Sequence, residues 1–107
     1  MPRGKAPPPN VGLDLNNPEF LSVFLRLDPP EMHQVAQSLG RIQRMDWAAI
    51  YKAPGLKWEA IGHIRAPNGA TVYSLRLRVK VRALAYRDGA LMRFLSLHPD
   101  HDSAYGR

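Results

Sequence analysis

The chain is predicted to fold as an α+β domain, with helices first and an antiparallel sheet after them, the helices packed on one sheet face. Two observations predict it. Between Asn17 and Ile42, apolar residues recur at spacings of three and four behind two helix-capping signals. After Gly55 the pattern changes to alternation: Tyr73, Leu75, Leu77, Val79 and Val81 point one way, and Ser74, Arg76, Arg78, Lys80 and Arg82 the other. The chain has 107 residues, 45% of them hydrophobic, which is enough for one domain with a modest core.

Residues 1–12 hold Pro2, Gly4, Pro7, Pro8 and Pro9 with little that is apolar, so they are expected to form a disordered or extended tail ahead of a single domain over 13–107. Val11, Leu13 and Leu15 alternate with small or polar residues and suggest a short edge strand. Asn17 caps a first helix, with Pro18 in its first turn, Glu19 near its positive end, and Phe20, Leu21, Phe24 and Leu25 at helical spacing. Asp28 caps a second, with Glu31 three residues on in the manner of a capping box; Met32, Val35, Ala36, Leu39 and Ile42 share one face. Neither stripe can be buried alone, so both helices need a sheet to lean on. Asp46 to Tyr51 predicts one further helical turn, ended by Pro54-Gly55.

The sheet is expected to begin with a strand over 56–64 and a turn at Pro67-Asn68-Gly69. The alternation from Tyr73 to Arg82 predicts one unbroken strand, which would set its cations on one face at intervals of about 6.8 Å, twice the strand rise. Asp88-Gly89 has the composition of a two-residue hairpin turn, and Leu91 to Leu97 returns as a largely apolar central strand. Trp47 and Trp58 are expected in the core. His33, on the polar edge of the second helix, and His63, within a strand, are expected to be structural.

Composition narrows the chemistry. Without cysteine there are no disulfides, no thiol catalysis and no cysteine-based zinc site. No apolar run is long enough to span a membrane, and the start lacks the apolar segment of a secretory signal, so a cytoplasmic location is expected. The glycines form no phosphate-loop spacing, and no Gly-x-Ser-x-Gly motif occurs. The net charge is +6, and residues 73–93 carry six cations against Asp88 alone. Such a segment is the footprint of a polyanion partner, or else a solvated basic face. Arginine forks onto phosphate oxygens, which favours the polyanion.

The C-terminal stretch His98-Pro99-Asp100-His101-Asp102-Ser103-Ala104-Tyr105 places imidazoles, carboxylates and a phenol directly after an apolar strand. Beside a basic sheet, those groups suit proton transfer on a phosphodiester. The alternatives are a structural turn built on Asp and Ser, and a metal site. The metal site is disfavoured because Pro99 separates two histidines only three apart and no further cluster completes it.

The stretch from Tyr73 to Tyr86, then Asp88-Gly89, then Met92 to His98, resembles the core of RelE/ParE-superfamily toxins of bacterial toxin–antitoxin systems. Those proteins have a strand ending in basic residues, a strand opening with Arg and closing with an aromatic, a last strand, and a short tail with basic groups and Tyr. Residues 20–44 are similar to the helical hairpin preceding that sheet. The resemblance implies a RelE-like fold and a ribosome-dependent, metal-independent mRNA endonuclease (an mRNA interferase that inhibits translation), with no cofactor. Arg82 matches the arginine facing the scissile phosphate, Arg76 and Arg78 the positions that hold the RNA backbone, with Lys80 beside them, and Tyr105 the C-terminal tyrosine. Where relatives often carry a basic tail residue this chain offers Pro99, Asp100 and His101, so His98 or His101 would exchange protons. A cognate antitoxin, mRNA and the ribosome are the implied partners. The same resemblance also admits a ParE-type, non-enzymatic inhibitor of DNA gyrase, and the residues alone also admit a plain RNA-binding module.

Overall fold

Three side-chain oxygens start three helices. In a computed structural model that describes residues 9–99, Asn17 Oδ1 accepts the Glu19 N–H at 2.9 Å, Asp28 Oδ1 the Glu31 N–H at 2.9 Å, and Asp46 Oδ1 the Ala49 N–H at 2.8 Å. Each cap satisfies a backbone donor that the helix leaves unpaired and contributes about 1 kcal/mol. The helices are α1 (Pro18–Phe24), α2 (Pro29–Ile42) and α3 (Trp47–Lys52). α2 buries Val35, Leu39 and Ile42 as its spacing predicts, but Ala36 is exposed and Ser38 is buried instead. Ser38 tolerates burial because its hydroxyl donates to the Leu77 carbonyl at 2.5 Å and accepts from Arg41 Nη2 at 2.9 Å. That bond ties α2 to the sheet.

The strands are β1 (Gly12–Asp14), β2 (Glu59–Arg65), β3 (Thr71–Arg78), β4 (Val81–Asp88) and β5 (Leu91–Pro99), in the sheet order β1-β5-β4-β3-β2. β2 to β5 form an antiparallel meander, whereas β1 joins β5 in parallel, so the sheet is mixed rather than wholly antiparallel. The edge strand predicted near Val11 to Leu15 is β1. The tail predicted over 1–12 is too long by at least two residues. Val11 is buried, its N–H bonds to Met45 O at 2.8 Å, and the Gly12 N–H bonds to Ala90 O at 3.0 Å. Residues 1–8 lie outside the described residues.

The unbroken strand predicted over 73–82 is not formed. Val79 and Lys80 make a two-residue turn between β3 and β4. Alternation misleads here for a geometric reason. Arg76 pairs with Arg82 but Arg78 pairs with Val81, so one extra residue is bulged into the ladder. The bulge restores the in–out phase across the turn, which leaves Leu77 and Val81 both buried. The next turn is displaced by one residue from its expected place. Asp88 still pairs with Leu91, and Gly89-Ala90 form the loop, with Gly89 at the positive φ of 61° that a short hairpin requires. The turn at Pro67-Asn68-Gly69 is present where predicted, and β2 starts three residues later than expected, at Glu59. β5 is interior, but β4 occupies the centre of the sheet and β5 runs on through His98 to Pro99.

Phe20, Val35, Ile42, Ile50, Leu75 and Met92 fill the core between the helices and one sheet face. Trp47 packs edge-on against Trp58 at 5.4 Å between centroids, and Trp58 stacks on Tyr73 at 4.4 Å, which places both tryptophans in this layer. On the opposite face a smaller cluster of Ala66, Val72 and Tyr86 closes the β2–β3 end.

Arg93 clamps β1 to the sheet. Its guanidinium bonds Asp14 Oδ2 at 2.5 Å and Asp88 Oδ2 at 2.7 Å. The Asn16 backbone N–H, with Arg93 adding to it, holds the Asp14 carboxyl below its ordinary pKa against an opposing push from partial burial. A carboxyl with a lowered folded-state pKa stabilises the fold at neutral pH and loses that contribution as pH falls through and below about 3.9. Asp14→Asn is therefore expected to lower the melting temperature at pH 7 and to approach the parent protein at pH 3. A gap independent of pH would show that the charge on Asp14 does not matter.

Candidate nucleic-acid interface

The hairpin register sets the site. Arg76 on β3 lies directly opposite Arg82 on β4, and Arg82 lies directly opposite His98 on β5. Adjacent strands are about 4.8 Å apart, so two guanidinium-bearing residues and an imidazole-bearing one form a row about 10 Å long across the sheet. The row lies on the face away from the helices, because Leu75, Leu77, Ala83 and Leu97, one step along each strand, are buried in the main core. One row further in are Ser74, Leu84 and Ser96, and the Ser96 hydroxyl meets His98 Nε2 at 2.8 Å. Towards the tip come Arg78, and then the turn with Lys80 and a Val79 that is 77% exposed. The expected line of cations along one strand is thus folded back on itself, which brings Arg76 and Arg82 closer together than a single strand would.

Like charges directly opposite each other are unfavourable unless something offsets them. Among the described residues, no ion pair involves Arg76, Arg78 or Arg82. Arg82 is exposed, and Arg76 is partly buried with its Nε enclosed and lacking an acceptor. The other two arginines of the basic segment behave differently. Arg93 takes both neighbouring carboxylates, and Arg87 lies over the Trp47 ring at 4.7 Å while donating to Tyr51 Oη at 2.6 Å. These two serve the fold, so counting them towards a polyanion surface overstated it.

Among the predicted site residues, Arg76, Arg82 and His98 are brought together, and Arg78 and Lys80 flank them. His101 and Tyr105 lie outside the described residues. His33 and His63 are exposed and belong to other elements, α2 and β2. Ser96 was missed; its signal was the spacing of two from His98 on the same strand.

Chemically, the row offers two forked donors to a phosphate and an imidazole one strand away that can take or give a proton. Among the described residues, no three His, Cys, Asp or Glu side chains are grouped to hold a metal ion, and no helix is long and apolar enough to cross a membrane. No family model, curated protein or solved structure matches this chain.

Proposed function

We propose that this chain is an RNA-cleaving toxin of the RelE type, acting on messenger RNA at the ribosome. The observation that carries this reading is the Arg76–Arg82–His98 row, two arginines without carboxylate partners among the described residues beside an exposed imidazole. The break between β3 and β4 supports it: one strand ends in Arg76 and Arg78, and the next has Arg82 near its start and Tyr86 near its end. That is the division into strands which the resemblance implies and which alternation alone obscured. Two helices, α1 and α2, precede the meander in chain order, which agrees with the order that the resemblance implies.

In the proposed reaction a base removes the proton from a ribose 2′-hydroxyl. The freed oxygen attacks the adjacent phosphorus, and the bond to the 5′-oxygen breaks as that oxygen gains a proton. The products are a 2′,3′-cyclic phosphate and a 5′-hydroxyl. Arg82 faces the phosphate and stabilises the charge gained in the transition state. Arg76, Arg78 and Lys80 hold the backbone on either side. His98 exchanges one of the two protons, and His101 or Tyr105 from the C-terminal residues exchanges the other. A cognate antitoxin would silence the protein by covering this face, in the cytoplasm where the message is translated.

The test is to incubate the purified chain with ribosomes programmed with a defined message and to analyse the new RNA ends. Cyclic phosphate and 5′-hydroxyl termini are expected; 3′-hydroxyl ends, or no cleavage, would refute the mechanism. Direct binding to single-stranded RNA is expected to weaken with salt at a log–log slope of about −2.8, for four phosphate contacts by Arg76, Arg78, Lys80 and Arg82 at roughly 0.7 each. Arg82→Gln should reduce the slope by about 0.7. A slope near zero would remove the row from the RNA contact.

A further inference from the structure

We infer that the RNA path continues from the row, round the outer edge of β3, onto the exposed face of α2, where Arg41 and Arg44 hold two further phosphates of the same strand. The inference rests on the RNA reading and extends its site. Pairing between β2 and β3 ends at Ser74, so the part of β3 that carries Arg76 and Arg78 has no strand on its outer side. A loop and a helix take up that edge instead. The Arg76 N–H bonds to the Leu56 carbonyl at 2.7 Å, and the buried Ser38 donates to the Leu77 carbonyl. Ser38 also accepts from Arg41 Nη2 at 2.9 Å. The Arg41 guanidinium is therefore fixed two hydrogen bonds away from Leu77, the residue between Arg76 and Arg78. Arg44 follows in the turn after α2, its N–H bonded to the Arg41 carbonyl at 3.0 Å.

The surface there is hollowed and carries no acid. One hollow, between α2, the loop after α3 and β3, has Arg41 in its wall, and a second, on the exposed face of α2, has Arg41 and Arg44. Arg41 is the ridge that the two share. Among the described residues, no carboxylate lines either hollow, and neither arginine forms an ion pair. Both arginines are exposed. Ala36 and Gly40 also line the second hollow, and a Cβ added at Gly40 would meet nothing within 4 Å, which leaves room for a phosphate beside the guanidinium groups.

Forked donors without an acid among them match the regular negative charge of a phosphate backbone. An acidic protein segment would meet the same charge, but continuity with the row favours the strand already held there. Contacts of this kind go to phosphates and read no base, so they add affinity and salt dependence without sequence preference.

The experiment measures the salt dependence of binding for 2′-O-methyl oligonucleotides of roughly five and roughly twelve nucleotides, which the proposed chemistry cannot cut. The short one, filling only the row, should follow a slope of about −2.8, and the long one about −4.2, for two more contacts at roughly 0.7 each. In an Arg41→Gln, Arg44→Gln double variant the long oligonucleotide should return to about −2.8 while the short one is unchanged. Gly40→Glu keeps every arginine and sets a carboxylate in the second hollow, so it should weaken the long oligonucleotide roughly fivefold or more. Ser22→Glu makes the same charge change at an exposed position of α1, which packs on β5 through Phe20 and Phe94, and should have little effect.

Equal slopes for the two lengths, an unchanged long-oligonucleotide slope in the double variant, or equal effects of Gly40→Glu and Ser22→Glu would each overturn the path. Loss of polyglutamate binding in the double variant, with RNA binding unchanged, would assign the face to an acidic protein instead. Arg82→Gln with the short oligonucleotide tests the row separately. A loss there without any length effect refutes only the extended path. A length effect that needs Arg41 and Arg44, without a loss from Arg82→Gln, refutes only the row.

Discussion

Arg82→Ala is expected to reduce RNA cleavage by a factor of 10² to 10³ and leave the fold intact. A donor aimed at charge that develops in the transition state contributes on the order of 3 kcal/mol to the rate. The structural cost is small because Arg82 is exposed, takes part in no ion pair among the described residues, and stands opposite another cation, Arg76. Its removal should change stability by no more than about 0.5 kcal/mol. Comparing single-turnover rates with melting temperatures separates the two effects. An Arg82→Ala protein that melts normally and still cuts at full rate would place the chemistry elsewhere.

Phe20→Ala should do the reverse, destroying stability without touching the row. The Phe20 ring is fully buried, 5.0 Å between centroids from Phe94 on β5 and 6.1 Å from Phe24 on α1. Truncating such a ring typically costs about 3–5 kcal/mol in lost burial and the cavity left behind. Small domains have about 5–15 kcal/mol in total, so a large share of the margin would go. Denaturant unfolding should show the midpoint falling with little change in slope. A loss below about 1 kcal/mol would mean that α1 is not anchored through this ring.

The parts of the fold set by local chemistry were legible in the sequence. Asn17, Asp28 and Asp46 are caps because a short oxygen-bearing side chain there meets a free backbone N–H, and that depends on neighbours only. The turn at Asn68-Gly69 was legible for the same reason, with Gly69 at a φ of 84°. The turn at Val79-Lys80 was not. Neither residue has a turn preference, and the bulge at Arg76 to Arg78 keeps the alternation in phase across it. Nor could any local pattern show that β1 returns to lie parallel to β5, since that pairing joins residues nearly eighty positions apart.

The same division applies to the site. Arg76, Arg82 and His98 stood out as residue types beside an apolar strand. That they form one row follows only from the register of two hairpins. Arg87 and Arg93 looked like members of the same basic surface, and only tertiary partners, Trp47 and Tyr51 for one and Asp14 and Asp88 for the other, remove them from it.

The central claim is that the Arg76–Arg82–His98 row cuts messenger RNA. The most direct measurement is to express the chain in a bacterium and map transcript ends and gyrase-dependent DNA breaks in the same cells, beside an Arg76→Ala, Arg82→Ala, His98→Gln triple variant. The account predicts transcripts cut to 5′-hydroxyl ends, intact DNA, and neither toxicity nor cutting from the variant. Intact transcripts with broken DNA, or cutting that persists in the variant, would contradict it.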